Sequence, residues 1–170
     1  MRTGPFEGPA NGKPPALPEV MTERRQKMAA STKKQIPCRD GLWSIPSSLD
    51  EKPQLIGSKC PNCGEVFFPV NSVCVNCQSQ AMNDIKLSRR GKVYSVSTVM
   101  LPPPQWYKGP VPFDLGYVEL PDGVMIWTRL MGSGAGSFRI DQEVELDIDV
   151  MQVDDEGNEI LGYCFVPVKS

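Results

Sequence analysis

The sequence predicts a mainly β protein in three parts: an N-terminal tail with a short helix, a compact four-cysteine ribbon, and a five-stranded antiparallel barrel. Three observations carry that prediction. Two Cys-x-x-Cys pairs stand ten residues apart near the middle of the chain. Five short runs in the second half read as strands and are separated by turn residues. No helical period is long enough for a strand–helix–strand unit, and no internal repeat is visible.

Residues 1–16 hold Pro5, Pro9, Pro14 and Pro15 with three glycines, too little apolar surface to order itself. A short helix is expected from Pro18 to about Ala30, because proline suits a first helical turn and Leu17, Val20, Met21 and Met28 fall roughly on one side. A solvated helix is the plain reading, and a helix that docks on a partner is the sharper one. Gly41 to Pro53, with Trp43, Ile45 and Leu49, leads into the ribbon. The expected domain limits are 1–36 for tail and helix, 37–82 for the ribbon with its lead-in, and 83–170 for the barrel.

The ribbon rests on Cys60, Cys63, Cys74 and Cys77. Two residues between cysteines let one tight turn aim both thiolates at a single ion, and Gly64 permits the backbone turn that follows. A hairpin over Glu65–Val70 is expected to bring the second knuckle opposite the first. The product is a closed tetrahedral site with no open position, which makes the metal structural. Zinc is the expected occupant; iron in a rubredoxin-like centre is the alternative that the same ligands accept. Cys164 falls in an apolar strand and reads as core. Cys38 precedes Arg39, which would lower its pKa, but no base stands near it in sequence.

The barrel strands are expected at Lys92–Leu101, Leu115–Leu120, Val124–Met131, Glu143–Val150 and Ile160–Val168. Pro121-Asp122-Gly123 and Asp155-Glu156-Gly157-Asn158 supply turns. In the fourth strand Val144, Leu146, Ile148 and Val150 alternate with Glu143, Glu145, Asp147 and Asp149, so apolar residues point inward and carboxylates outward. Five strands at this spacing close to cover their edges, and an OB-fold barrel is the natural form.

Composition excludes several chemistries. The chain has 170 residues and no histidine, which removes histidine triads, histidine-ligated zinc and a histidine general base. No apolar stretch approaches a membrane span and no signal-peptide core is present, so a cytoplasmic location is expected. Residues 1–92 carry 14 Lys+Arg against 8 Asp+Glu, whereas residues 93–170 carry 4 against 12. An acidic barrel repels phosphate, which makes a zinc-ribbon nucleic-acid adaptor the lesser alternative. Gly132–Gly136 lacks the Lys-Ser/Thr and helix of a phosphate cradle and reads as a flexible loop.

The order of motifs resembles the zinc-ribbon/OB-fold proteins that accompany thiolases and related acyl-CoA enzymes as small subunits. The likeness runs from about Leu55 to Val168. It includes Gly57-Ser-Lys-Cys60-Pro-Asn-Cys63-Gly64, Phe68-Pro69, Arg90-Gly91-Lys92-Val93-Tyr94-Ser95, Val111-Pro112-Phe113, Gly116-Tyr117-Val118-Glu119-Leu120 and Phe165-Val166-Pro167. It implies a non-catalytic subunit in a heteromer, docking on a thiolase-type catalytic subunit and helping to form or close an acyl-CoA site in β-oxidation-type chemistry. Under that reading Arg89, Arg90 and Lys92 are candidates for the phosphates of a CoA thioester. Trp106, Tyr107 and Lys108, in a proline-stiffened loop, are candidates for contact with the partner or the acyl chain.

Overall fold

A computed structural model describes residues 34–46, 51–101 and 111–168. The expected helix at Pro18–Ala30 and the loop bearing Trp106, Tyr107 and Lys108 lie outside those residues. Among the described residues all regular structure is β-strand, and no helix is long and apolar enough to cross a membrane.

Nine strands form two sheets among the described residues. The smaller has β2 (Ile56–Lys59) at its centre, paired antiparallel with β3 (Val66–Phe67) and β4 (Asn83–Lys86). The larger holds β5 (Arg90–Val99), β6 (Phe113–Glu119), β7 (Met125–Leu130), β8 (Glu143–Val153) and β9 (Glu159–Pro167). Its order β9-β7-β6-β5-β8 is closed by the β8–β9 pairing, which makes a five-stranded OB-type barrel. β1 (Gln35–Pro37) adds to β9 in parallel as a sixth strand.

The five barrel strands coincide closely with the five runs read from the sequence. Three details differ. The seam between β7 and β9 is parallel, pairing Arg129 with Cys164 and Leu130 with Phe165, while the other barrel pairings are antiparallel. The ribbon hairpin does not sit between the two knuckles. Val66–Phe67 folds back across the first knuckle onto Ser58–Lys59, because β2 offers a free edge there. In β8 the inward set is fully buried only at Val144 and Leu146, and Ile148 and Val150 are half-buried. Beyond Asp147 the strand pairs only with β9 and runs out of the barrel as an arm.

The two sheets share one core. Leu55 and Leu87 flank the ribbon and are fully buried in the same cluster as Val93, Val118, Ile126, Val144, Leu146 and Phe165 of the barrel. Trp43 bridges to Leu55 and packs on this cluster. Phe68 of the ribbon meets Tyr163 of β9 edge to face, with ring centroids 5.4 Å apart. Removing any of these large side chains would therefore loosen both sheets at once.

Two glycines are demanded by geometry. Gly123 takes φ +85° in the turn after Pro121, where its N–H donates to the Leu120 carbonyl at 3.0 Å. Gly116 lies where β6 presses on β5, and a Cβ there would sit 2.0 Å from the Ser95 carbonyl oxygen. We predict that Gly116→Ala forces the β5–β6 ladder apart and lowers stability by about 3 kcal/mol, the upper end of overpacking costs. Gly123→Ala, with open space around the added methyl, costs about 1–2 kcal/mol through its backbone conformation alone. Urea-unfolding midpoints of the two variants check the ranking.

Candidate metal centre

Each knuckle is built by its own backbone. Cys60 N–H donates to the Glu65 carbonyl and Gly64 N–H returns to the Cys60 carbonyl, both at 2.9 Å. The second knuckle repeats the pattern with Cys74 to Ser79 and Gln78 to Cys74. Gly64 (φ +79°) and Gln78 (φ +60°) occupy equivalent places after the second cysteine of each pair. The sequence marks the first with glycine and leaves the second unmarked. Ser58, fully buried in β2, accepts the Asn71 N–H at 3.0 Å and ties the segment before the second knuckle to the sheet.

The four Sγ atoms lie within 4.8 Å of one another, and Cys60–Cys77 and Cys63–Cys74 are each 3.5 Å apart. A tetrahedral ion bonded to sulfur at about 2.3 Å spaces its ligands by about 3.8 Å, so the set fits one zinc with all four positions filled by protein. Cys60 and Cys74 are buried while Cys63 is exposed, and the centre therefore joins the sheet to the surface. Without an ion the thiols differ. Asn62 Nδ2 donates to Cys77 Sγ at 3.4 Å, and this bond first, with the Ser79 N–H, brings that thiol down to about 6. At Cys63 the Glu65 N–H pulls downward, but burial and hydrogen sharing with Cys74, Cys77 and Cys60 outweigh it, to about 11. A cation removes the difference, because all four bind as thiolates.

The two remaining cysteines stand apart from this set. Cys164 is buried, with its Sγ 3.6 Å from the Asp147 carbonyl, as expected of a core residue. At Cys38 burial pushes the thiol up, outweighing backbone hydrogen bonds from Arg39 and Cys38 itself, which goes with the reading that it is not an activated nucleophile.

The basic trio divides. Arg89 donates through Nη1 to the Pro53 carbonyl, and through Nη2 to the Leu146 carbonyl at 2.7 Å and to Glu145 at 3.3 Å. It clamps the ribbon lead-in to β8, and Lys52 joins the same carboxylate at 3.2 Å. Arg90 and Lys92 are exposed on β5 and line a shallow hollow of about 450 Å³ with Glu119, Leu120, Pro121 and Glu143. Lys92 stands between Glu119 and Glu143 in the strand register, so the hollow is of mixed charge. The glycine loop is anchored at Gly136, whose N–H donates to both oxygens of buried Asp114 at 2.9 and 2.8 Å, and Thr98 donates to the same carboxylate at 2.6 Å.

Sequence reasoning passed over one feature. Tyr117 and Trp127 pair across β6 and β7 on the outside of the barrel, with ring centroids 4.8 Å apart. The signal lay in the alternation of Met125–Leu130, which puts Met125, Trp127 and Arg129 in the phase opposite to Ile126, Thr128 and Leu130.

Residues 50–83 match the rubredoxin-like zinc ribbon domain of ChsH2, and residues 84–149 match the C-terminal OB-fold domain of ChsH2. A benzoylsuccinyl-CoA thiolase subunit, BbsA, of Thauera aromatica is 35% identical over 113 residues, covering 66% of this chain and 76% of that protein. A DUF35 domain-containing scaffold protein of Methanocaldococcus jannaschii is 32% identical over 124 residues, covering 72% and 87%. Among solved structures, the Ltp2–ChsH2(DUF35) aldolase superposes with a TM-score of 0.55 at 25% identity, over 67% of this chain and 84% of that one.

Three outcomes follow from the centre and the clamp. Wild-type protein should retain one zinc per chain after dialysis and show none of the visible absorbance of an iron tetrathiolate. Cys60→Ser should lose the ion and melt the ribbon, since metal binding in such modules contributes about 10–16 kcal/mol; metal analysis and thermal unfolding read this. At Glu145 burial alone raises the carboxyl, but hydrogen bonds and charges from Lys52 and Arg89 outweigh it and hold it below its ordinary range. Its stabilisation is then complete above the unfolded value of about 4.3 and is lost as pH falls through the lower folded value. Between about pH 5 and pH 3 the urea midpoint should therefore fall more steeply for wild type than for Glu145→Gln.

Proposed function

Because the chain belongs to the family that pairs a ChsH2-type zinc ribbon with a ChsH2-type OB-fold domain, we propose that it is a non-catalytic, zinc-binding subunit of an acyl-CoA-processing, thiolase-type complex. The single observation that carries this reading is the 35% identity to a thiolase subunit across most of that subunit's length. In this reading the protein docks on a catalytic subunit in the cytoplasm and helps to form or close the site that holds an acyl-CoA thioester.

The chemistry of the chain supports the division of labour. A zinc held by four thiolates has no free position for water or substrate, so its contribution is rigidity. With the metal in place the ribbon becomes a stiff support joined to the barrel by Leu55, Leu87 and the Arg89 clamp. Such a support can order a partner's loops around a bound thioester and exclude water while supplying no acid or base. Arg90 and Lys92 remain the candidates for CoA phosphate, with Arg89 positioning the strand that carries them. Trp106, Tyr107 and Lys108 remain candidates for contact with the acyl chain or the partner.

Tagged full-length chain, expressed in its native host, should co-purify with a larger subunit that mass spectrometry identifies as thiolase-type, and the eluate should carry out CoA-dependent thiolysis. Recovery of the chain alone, or with nucleic acid in place of such a subunit, contradicts the reading.

A further inference from the structure

The four sulfurs of the knuckles differ in access. Cys63 is exposed and Cys77 half-buried, whereas Cys60 and Cys74 are buried. The two 3.5 Å contacts each join an accessible sulfur of one knuckle to a buried sulfur of the other, Cys63 to Cys74 and Cys77 to Cys60. Bonded to a cation, all four are thiolates, the form that reacts with oxidants. Which sulfur reacts first is then set by access and by the donors that occupy its lone pairs. Cys77 receives the Ser79 N–H and, at 3.4 Å, Asn62 Nδ2. Among the described residues outside the four cysteines, Cys63 receives the Glu65 N–H alone. Cys63 is therefore both the more accessible and the less shielded of the two.

With hydrogen peroxide as oxidant, the Cys63 thiolate attacks one peroxide oxygen and the O–O bond breaks. Cys63 becomes a sulfenic acid and hydroxide leaves. Cys74 Sγ is too buried for peroxide to reach but lies 3.5 Å from Cys63 Sγ. It attacks the oxidised sulfur, expels a second hydroxide and closes a disulfide. Two protons from solvent turn the hydroxides into water, so two thiolates, one peroxide and two protons give one disulfide and two waters. The two electrons lost by the sulfurs end on the peroxide oxygens. Only Cys60 and Cys77 then remain as ligands, half of what a closed tetrahedral site needs.

We propose that the four-cysteine centre is a peroxide-sensitive switch, in which Cys63 is the sulfur oxidised first, Cys74 resolves it, and the disulfide between them releases the ion. The inference goes beyond the functional reading above and does not depend on it, since every group belongs to this chain. A Cys63–Cys74 bond joins the two knuckles where the ion joined them, so reduction and fresh zinc restore the starting state. What oxidation removes is the stiffness passed from β2 to Leu55 and Leu87 in the shared core. Cys38 provides an internal comparison. That residue is also exposed, but partial burial of its sulfur raises its thiol, and it stands outside the group of four.

The test treats zinc-loaded full-length chain with hydrogen peroxide while a chromogenic chelator reports free zinc. Unreduced, alkylated peptides are mapped by mass spectrometry along the same time course. One zinc per chain should be released, with a Cys63–Cys74 disulfide as the first product and Cys38 still open to alkylation. A phosphine reductant with added zinc should restore the original metal content and melting temperature. Asn62→Ala removes a donor from Cys77 and should speed release about tenfold, with Cys60–Cys77 gaining share among the products. If that variant does not hold zinc before peroxide is added, the product map of the wild type decides alone. Zinc retained at peroxide doses that oxidise Cys38 overturns the proposal. So does a Cys60–Cys63 disulfide as first product, release with sulfinic acids and no disulfide, or a loss that reduction does not reverse. Unchanged release from zinc-loaded Asn62→Ala overturns the shielding of Cys77 and with it the order of oxidation.

Discussion

Four thiolates within 4.8 Å of one another repel too strongly to coexist without a cation among them. That constraint organises the first half of the described structure. The segment between Lys59 and Asn83 contains only the two-residue strand Val66–Phe67 and has few apolar residues of its own to bury. The ion therefore takes the place of a core, holding two backbone knuckles against β2. Once β2 is fixed, β3 and β4 can pair with it, and Leu55 and Leu87 at the edge of that sheet enter the barrel core. Metal, ribbon and barrel thus form one cooperative chain of contacts, with Arg89 drawing the lead-in at Pro53 onto β8.

Much of this was legible because the signals were local. The spacing of Cys60, Cys63, Cys74 and Cys77 encodes two tight turns, and the turns encode the metal geometry. Alternation and the turns at Gly123 and Gly157 located the five barrel strands to within a few residues. The parallel seam between β7 and β9 was not legible, since alternation gives a strand's two faces and says nothing of its neighbour's direction. Val66–Phe67 was placed in the wrong hairpin for a related reason: pairing with β2 is decided by which edge is free, a property of the folded ribbon. Arg89 looked like part of a basic cluster in sequence, yet its partners at Pro53, Glu145 and Leu146 lie 36, 56 and 57 positions away.

The barrel divides its surface by strand. β8 carries the acidic outer residues, whereas β6 and β7 carry the aromatic pair, and the closed sheet keeps the two apart on its circumference. A surface partitioned in this way keeps apolar exposure and negative charge on different sides of the barrel.

The account stands or falls on whether this chain contributes to catalysis only through another protein. The direct measurement is CoA-dependent thiolysis by a fixed amount of the purified catalytic subunit, titrated with the zinc-loaded chain. Activity should rise and saturate at a fixed molar ratio, with no turnover from the chain alone and no rise when the chain has been stripped of zinc. Turnover by the isolated chain, or a catalytic subunit whose rate is indifferent to its addition, would contradict the account.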